Sequence, residues 1–244
     1  MKIDQDFEQE RVNIITRLRS DAALQRASMD WNLRAWKEKY SYNFSWAGIP
    51  IIQLPQDIMA IQEIIWSVQP ELIIETGIAR GGSLIFHASM LELLGRGSVL
   101  GIDIDIREHN RRAIEAHRMA KNIRMIQGSS ISPDIIQQVH AAARGKQSVL
   151  VILDSNHTHA HVLAEMQAYA PLIKKGGYLI VLDTIIEDFP VGEFHDRPWR
   201  PGDSPKSAVI EFLRSNDQFA VDTDIDARLQ ISAAPNGYLK RVRD

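Results

Sequence analysis

Two aspartates each end an apolar run of the sequence, and a histidine follows the first of them. Asp154 closes the run 149–153, Asp183 closes the run 178–182, and His157 lies three residues after Asp154. Parallel strands place their carboxyl ends at one edge of a sheet, so we expect the two carboxylates to meet there. Paired oxygen ligands suit Mg²⁺, which would offset their mutual repulsion. His157 would then reach a hydroxyl bound at that ion and act as its general base.

Two other interpretations fit the same residues. Both aspartates can instead cap a helix or loop, with His157, His159 and His161 exposed on a helix surface. The three histidines with a carboxylate also match the ligand types of a non-haem iron site. Side chains two residues apart diverge once a helix begins, which favours magnesium over a shared iron. Two strand-end carboxylates with a nearby histidine favour a functional site over simple caps.

A glycine-rich turn follows an earlier apolar run and precedes a helical pattern. Such a turn lets a ligand approach the backbone, and the helix N-terminus offers free N–H groups. The spacing departs from the dinucleotide pattern G-x-G-x-x-G, because Ala79 stands where the second glycine belongs. An acidic residue before the turn would repel a pyrophosphate but suits the amino group and sulfonium of S-adenosylmethionine. The predicted cofactor-binding residues here are Glu75, Gly77, Gly81 and Ser83. A turn without any ligand is the alternative.

Polar residues at other strand ends extend the predicted cofactor site. Asp103 lies about 20 residues past the glycine turn, where an acidic side chain accepts hydrogen bonds from ribose hydroxyls. Capping of the next helix is the alternative for Asp103, and capping or positioning is the prediction for Asp105. Ser129 follows the next strand and is predicted at the adenine edge, although helix capping also explains the serines there. Asp154 would adjoin both the cofactor and the metal.

Apolar runs alternate with amphipathic helical patterns from residue 57 onward. This alternation predicts right-handed crossovers and a mostly parallel, doubly wound α/β sheet with helices on both faces. Strands are predicted at 71–76, 98–103, 122–127, 148–154 and 177–183, and helices at 57–68, 82–94, 107–120, 132–143, 159–174 and 205–215.

The N-terminal part departs from this alternation. Residues 1–40 show helical amphipathic spacing, and residues 42–50 form an aromatic segment that is either a buried connector or a lid. We therefore divide the chain into an N-terminal helical extension with its connector, 1–56, and a main domain, 57–244. The extension fits an interface between copies of the chain as well as an intrachain cover.

The C-terminal part of the sequence also departs from the alternation of apolar runs and helical patterns. The β-like stretches 218–223 and 227–233 and the dipeptide Asn236-Gly237 predict an antiparallel hairpin. Before them, the loop 184–204 carries aromatic residues that either line an acceptor pocket or anchor the loop by packing. These aromatic residues are Phe194 and Trp199.

The composition excludes several classes of partner. Lys and Arg total 28 against 31 Asp and Glu, a formal net charge of -3, so nothing calls for nucleic acid or an anionic membrane. The chain has no cysteine, which removes disulfides and thiolate metal sites. No apolar stretch approaches the roughly 18 residues of a membrane span. We expect a cytoplasmic protein with a small-molecule partner.

Several motifs in a fixed order resemble one family of class I S-adenosylmethionine-dependent methyltransferases, the cephalosporin hydroxylase family, which includes rhamnosyl O-methyltransferases. The resemblance runs from about residue 40 to the end of the chain. The resemblance implies a Rossmann-like fold and a methyl-transfer reaction. Although the family name contains the word hydroxylase, the resemblance does not imply hydroxylation. The motifs that carry it are 40–46, 52–57, Glu75-Thr76-Gly77, Gly81-Gly82-Ser83, Gly101-Ile102-Asp103, 153–157, Pro205-Lys206, Ala208-Val209 and 235–241.

The carboxylate pair also resembles the magnesium site of catechol O-methyltransferase-like enzymes. In that pattern an Asp follows the fourth strand, an acidic or amide pair follows the fifth, and a base stands three residues after the first Asp. Asp154, Asp183 and His157 match these positions. Leu182 and Thr184 stand where the partner of Asp183 is expected. The Thr184 hydroxyl, Glu187, Asp188 or water would then complete the shell.

The resemblance and the residues together predict a Mg²⁺-assisted, S-adenosylmethionine-dependent O-methyltransferase. Its acceptor would be a hydroxyl of a sugar or of a sugar-bearing natural product. The alternatives are an NAD-dependent oxidoreductase on a similar sheet, a methyltransferase-fold binding protein without activity, and an iron hydroxylase.

Overall fold

The chain begins with two helices and a short hairpin in the computed structural model, which describes residues 4–244. The first helix ends at an aspartate that caps the second, since the Asp21 carboxylate accepts a hydrogen bond from Leu24 N at 2.9 Å. The helical prediction for 1–40 is confirmed within the described residues, and 1–3 lie outside them. These elements are α1 (Gln5–Ser20), α2 (Ala22–Lys37), β1 (Phe44–Trp46) and β2 (Ile49–Ile51).

The aromatic segment around the hairpin is a packed connector. The Trp46 and Phe86 ring centroids lie 4.8 Å apart, and Trp46 Nε1 donates to Ser89 Oγ at 3.2 Å. The hairpin can approach the helix that begins at residue 82 this closely because that residue is glycine. A Cβ there would lie 2.3 Å from Pro50 O. The hairpin is thereby held against the helix that follows the glycine-rich turn.

A seven-stranded sheet forms the centre of the described chain, with the strand order β5-β4-β3-β6-β7-β9-β8. Its first five strands in sequence are parallel, as predicted. The apolar runs of four of them are buried because helices cover both faces, whereas β5 at the sheet edge is only partly buried. The strands are β3 (Leu72–Thr76), β4 (Ser98–Asp103), β5 (Ile123–Gln127), β6 (Val149–Leu153), β7 (Tyr178–Val181), β8 (Phe219–Val221) and β9 (Tyr238–Arg241).

The covering helices divide the core into two clusters, one on each face of the sheet. One face packs against α3, α4, α5 and α9, and the other against α6, α7 and α8. Within residues 4–244, no helix is long and apolar enough to cross a membrane. The helices are α3 (Pro55–Val68), α4 (Gly82–Leu94), α5 (Glu108–Glu115), α6 (Pro133–Ala143), α7 (His159–Tyr169), α8 (Pro205–Ser215) and α9 (Thr223–Leu229).

The C-terminal hairpin is present, but its connection differs from the prediction. β8 and β9 pair antiparallel, and β9 also pairs with β7. The predicted strand 227–233 is wrong, because α9 occupies Thr223–Leu229. Asp222 caps this helix through Asp224 N, and Ile225 is buried. Helix capping and burial outweigh the alternating pattern there, and Asn236-Gly237 precedes β9 instead of forming the hairpin turn.

Candidate active site

The central strands reverse their order beside β3, and a cavity opens at their carboxyl ends. β3 pairs with β4 on one side and with β6 on the other, so the two halves of the sheet diverge there. Ligands of open α/β sheets bind at such a switch point. The cavity has a volume of about 860 Å³, at the upper end of the range for small-molecule sites.

The glycine-rich turn brings the end of β3 into contact with the end of β6. Gly77 has a φ of +90°, and a Cβ there would lie 2.0 Å from the backbone oxygen of Asp154. Asp154 N donates to Thr76 O at 2.8 Å. Glycine is therefore required at residue 77 for two reasons. The left-handed conformation disfavours a side chain, and the neighbouring backbone leaves no space for a Cβ.

Replacement of Gly77 by Ala should remove most cofactor binding, because the new methyl group must displace the backbone at Asp154. Gly95→Ala is the matched control, since Gly95 has a φ of +70° but a Cβ added there would meet no atom within 4 Å. Calorimetry with S-adenosylhomocysteine should show loss of affinity only in the Gly77 variant. Equal affinity in the two variants would contradict this role of the turn.

Asp103 braces the same turn and also faces the cavity. Its Oδ2 accepts from Ile78 N at 2.7 Å and from Ala79 N at 3.2 Å, and its Oδ1 accepts from Asp105 N at 3.1 Å. A carboxylate has about four lone-pair sites, and three are used here, so about one remains for a ribose hydroxyl. Ser129 lines the cavity on the same side. Both predicted positions are therefore compatible with a nucleoside.

Three predicted cofactor residues lie away from the large cavity. Glu75 is fully buried on the face of β3 that packs against α4, where its Oε2 lies 3.5 Å from His87 Nε2. Side chains alternate along a strand, and the sequence alone did not show which face Glu75 takes. Gly81 and Ser83 line a smaller pocket at the start of α4, which Gly77 and Asp154 also line.

The predicted acidic site assembles as one cluster. Single ligand atoms of Asp154, His157 and Asp183 lie within 4.8 Å of one another, and His157 Nε2 lies 3.1 Å from Asp183 Oδ2. Burial raises the pKa of Asp154 well above its usual range, and the charges of Asp183 and Glu75 raise it further. Burial also raises the pKa of Asp183, while His157 opposes that rise.

The backbone at Asp183 adds a further sign of function. Its φ is +56°, a left-handed conformation that is uncommon outside glycine. Such conformations often occur at functional sites, where the surrounding structure holds them. The conformation turns the chain sharply at the end of β7 and leaves the Asp183 side chain in the cavity wall.

The other predicted metal ligands do not reach this cluster. Thr184 is fully buried, and its hydroxyl donates to Pro235 O at 2.7 Å. Glu187 accepts from Gly202 N at 2.9 Å, and Asp188 pairs with Lys206. The structure thus directs Thr184 away from the cavity, because the turn at residue 183 sends the following residues into the protein.

Two carboxylates and an imidazole fit a divalent cation. Both carboxylates are desolvated and close together, which is unfavourable without a positive charge between them. Among residues 4–244 this is the one cluster of three such ligands. Hard oxygen donors suit Mg²⁺. The chemistry of the donor set therefore agrees with the predicted magnesium site.

The three neighbouring histidines diverge, which removes the basis for a shared iron. His159 contacts Ser207 Oγ through Nδ1 at 2.8 Å and Glu211 through Nε2 at 3.0 Å, outside the cavity wall. His161 lies in the wall, and its Nε2 is 3.1 Å from Ser130 Oγ. The expected divergence of side chains two residues apart is confirmed.

Sequence reasoning missed a buried polar network behind the cavity. Glu165 is fully buried and accepts from Ser130 Oγ at 2.5 Å and from Ser155 Oγ at 2.7 Å. His161 contacts both serines. His157 and His161 both line the cavity, but His157 precedes α7, so helical spacing did not indicate their common direction.

Aromatic side chains form the outer part of the cavity. Phe194 and Trp199, for which pocket lining and packing were both open, line the cavity, and Phe194 also packs against Phe189. The Trp199 and His157 rings form a T-shaped pair with centroids 4.7 Å apart. Helix α2 contributes to the same wall, and Lys37 pairs with Glu193 at 3.4 Å, which ties the loop to α2. The aromatic residues of this wall are Trp31, Trp36, Tyr40, Tyr42, Phe194 and Trp199.

Comparison with known sequences gives one consistent result. A model of the family described as rhamnosyl O-methyltransferase/CmcI matches residues 38–242. A rhamnosyl O-methyltransferase of Mycobacterium tuberculosis (strain H37Rv) is 32% identical over 205 residues, covering 81% of this chain and 78% of its own. The Mycobacterium leprae enzyme of the same name is 30% identical over 202 residues, covering 81% and 82%.

Solved structures show the same fold. A CmcI structure described with Mg and SAM superposes with a TM-score of 0.59 at 21% identity, covering 87% of this chain and 85% of that one. A cofactor-bound protein of MTB, Rv0187, superposes with a TM-score of 0.56 at 14% identity, covering 89% and 90%. At these identities the likeness concerns the architecture of the sheet and helices.

Proposed function

The chain belongs to the rhamnosyl O-methyltransferase/CmcI family of S-adenosylmethionine-dependent methyltransferases, and from this membership we propose that it methylates a hydroxyl of a sugar or sugar-bearing natural product with the help of Mg²⁺. One observation carries the proposal. The Cβ that Gly77 lacks would lie 2.0 Å from the backbone oxygen of Asp154, so the cofactor turn and the acidic cluster are in direct contact. A methyl donor at the turn would lie next to a hydroxyl at the cluster.

The cofactor would be held by the backbone of the turn and by the ends of β4 and β5. Asp103 fixes the turn and presents an oxygen atom to a ribose hydroxyl. The base would pack beside Ile104, whose side chain is exposed in the cavity wall, and near Ser129. This arrangement points the sulfonium end towards Asp154.

Asp154 and Asp183 would hold the cation, with His157 beside them. When bound, a divalent cation stabilises negative charge that develops on the acceptor oxygen. His157 Nε2 lies 3.1 Å from Asp183 Oδ2. With Asp183 engaged by the cation, this nitrogen would be free of the carboxylate and would take the hydroxyl proton. The Trp199 ring packs against the His157 ring in a T-shaped pair and so limits rotation of the imidazole.

The reaction needs little further chemistry from the protein. The sulfur–methyl bond breaks as the oxygen–methyl bond forms, which leaves S-adenosylhomocysteine and a methyl ether. Holding the two reactants in line supplies much of the acceleration, because it removes the entropy cost of their encounter. The contact between the glycine turn and the end of β6 provides this fixed geometry.

The aromatic wall supports a glycosidic acceptor. Flat rings pack well against the apolar face of a sugar, and the charged groups among them can bind its hydroxyls. The N-terminal extension supplies part of this wall through Trp31 and Trp36. The rhamnosyl group in the names of the relatives points to the same acceptor class.

A direct test combines binding with turnover. Calorimetry should show binding of S-adenosylhomocysteine, and transfer of a labelled methyl group to deoxysugar glycosides should require Mg²⁺ and stop with EDTA. Binding without turnover across a broad hydroxyl panel would instead support a binding protein. Tighter binding of NADH than of S-adenosylhomocysteine would contradict the proposal.

A further inference from the structure

The side-chain amide of Gln53 is buried without a partner. Gln53 is 6% exposed, and neither its Nε2 nor its Oε1 has a hydrogen-bond partner within the described chain. Buried polar groups in native proteins are almost always satisfied, and an exception calls for an explanation such as a bound ion. The Gln53 amide therefore indicates a missing ligand.

The fold holds this amide at the acidic cluster. Gln53 lies between β2 and α3, and Gly82 permits β2 to pack tightly on the first turn of α4. Gln53 lines both the large cavity and the small pocket at the glycine turn, as Gly77 and Asp154 do. The amide lies close enough to the Asp154 carboxyl to lower its pKa, although neither amide atom meets the distance and angle of a hydrogen bond to it.

Glu75 and Glu165 also keep buried oxygen atoms without a hydrogen-bond partner, but neither side chain lines the cavity. Two further polar side chains near the cluster already use their oxygen atoms. Asn156 Oδ1 accepts from the backbone N and hydroxyl of Thr158. Asp57 accepts from Ser232 Oγ and Tyr238 OH at 2.6 Å each, and from a backbone N–H. The amide oxygen of Gln53 stands apart from these groups because it is buried, unused and part of a side chain that lines the cavity.

The expected partner of Asp183 is also missing from the cluster. Leu182 lines the cavity without offering a ligand atom, and Thr184 bonds elsewhere. We propose that the Gln53 amide oxygen is the third protein ligand of the divalent cation at Asp154 and Asp183. This inference rests on the proposed function, which supplies the cation.

A neutral amide suits this role. Carbonyl, carboxylate and water oxygens all bind Mg²⁺ and Mn²⁺. Two carboxylates balance the charge of a divalent ion, so an uncharged third donor completes the shell without excess negative charge. The donor comes from the segment before α3, which explains how a chain with Leu182 retains a site of this kind.

The test measures metal affinity directly. Mn²⁺ binding to the protein is measured by electron paramagnetic resonance, with the protein saturated with S-adenosylhomocysteine. Gln53→Leu should weaken Mn²⁺ binding at least about tenfold, while calorimetry shows an unchanged affinity for S-adenosylhomocysteine. Gln53→Glu, which keeps the size and adds charge, should tighten Mn²⁺ binding. Gln56→Leu is the matched control, because Gln56 Oε1 is also buried without a partner but does not line the cavity.

A second variant tests the same idea by restoring a donor. Leu182→Glu introduced into the Gln53→Leu chain should recover Mn²⁺ affinity, because it returns an oxygen ligand to the wall beside Asp183. Recovery would separate loss of a ligand from general damage to the fold.

Two results would overturn this inference and leave the proposed function standing. One is unchanged Mn²⁺ affinity in Gln53→Leu. The other is a fall in affinity for S-adenosylhomocysteine with Mn²⁺ binding intact, which would assign Gln53 to the amino-acid end of the cofactor. A wild-type chain that binds S-adenosylhomocysteine but no Mn²⁺ would instead overturn the metal part of the proposed function, and this inference with it.

Discussion

Replacement of Asp154 by Asn should lower turnover by about 10³-fold, the scale of losing a main electrostatic group from an active site. The substitution keeps the shape of the side chain and removes one of the two charges that hold the cation. Affinity for S-adenosylhomocysteine should stay within a few-fold, since the backbone at Asp154 that contacts the glycine turn is unchanged. Steady-state kinetics and calorimetry measure the two effects separately.

The control for this variant is Asp105→Asn, which changes an exposed carboxylate in the segment after β4. Its turnover should remain near that of the wild type. High activity of the Asp154 variant in the presence of EDTA would show that the reaction does not need the cation.

Replacement of His157 by Ala should lower turnover by about 10² to 10⁴-fold, the usual contribution of a general base. Mn²⁺ affinity and affinity for S-adenosylhomocysteine should change little, because Asp154 and Asp183 remain. Added imidazole should restore part of the activity by filling the space beside Trp199. His159→Ala is the matched control, since His159 lies outside the cavity wall.

The same variant distinguishes two roles for the histidine. His157 is close enough to both carboxylates to serve as a ligand itself. A large loss of Mn²⁺ affinity in His157→Ala, without rescue by imidazole, would assign it to the metal shell and leave the base unidentified.

The parallel sheet was predictable because its strands are continuous apolar runs between amphipathic helices. Burial on both faces demands such runs, and they place Asp154 and Asp183 at the same edge. The strand predicted at 227–233 failed for a local reason. Asp222 and the acidic first turn of α9 favour a helix, and the alternation of side chains was a weaker signal.

Side-chain direction was harder to predict than strand position. Glu75 and Thr184 are both next to site residues in the sequence. Glu75 nevertheless lies on the face of β3 that packs against α4. Thr184 follows the left-handed turn at Asp183 and bonds to Pro235 instead. Gln53 and helix α2 reach the cavity only through long-range packing of the hairpin and the extension. Spacing within one segment carries no information about such contacts.

Crystals grown with Mn²⁺ and S-adenosylhomocysteine would test the adjacency of the two sites most directly. We expect one anomalous peak per chain between the carboxylates of Asp154 and Asp183, with the sulfur of the cofactor beside it at the glycine turn and the ribose at Asp103. A map without a peak at the two aspartates, or a cofactor bound away from Gly77, would contradict the proposed methyl transfer at this site.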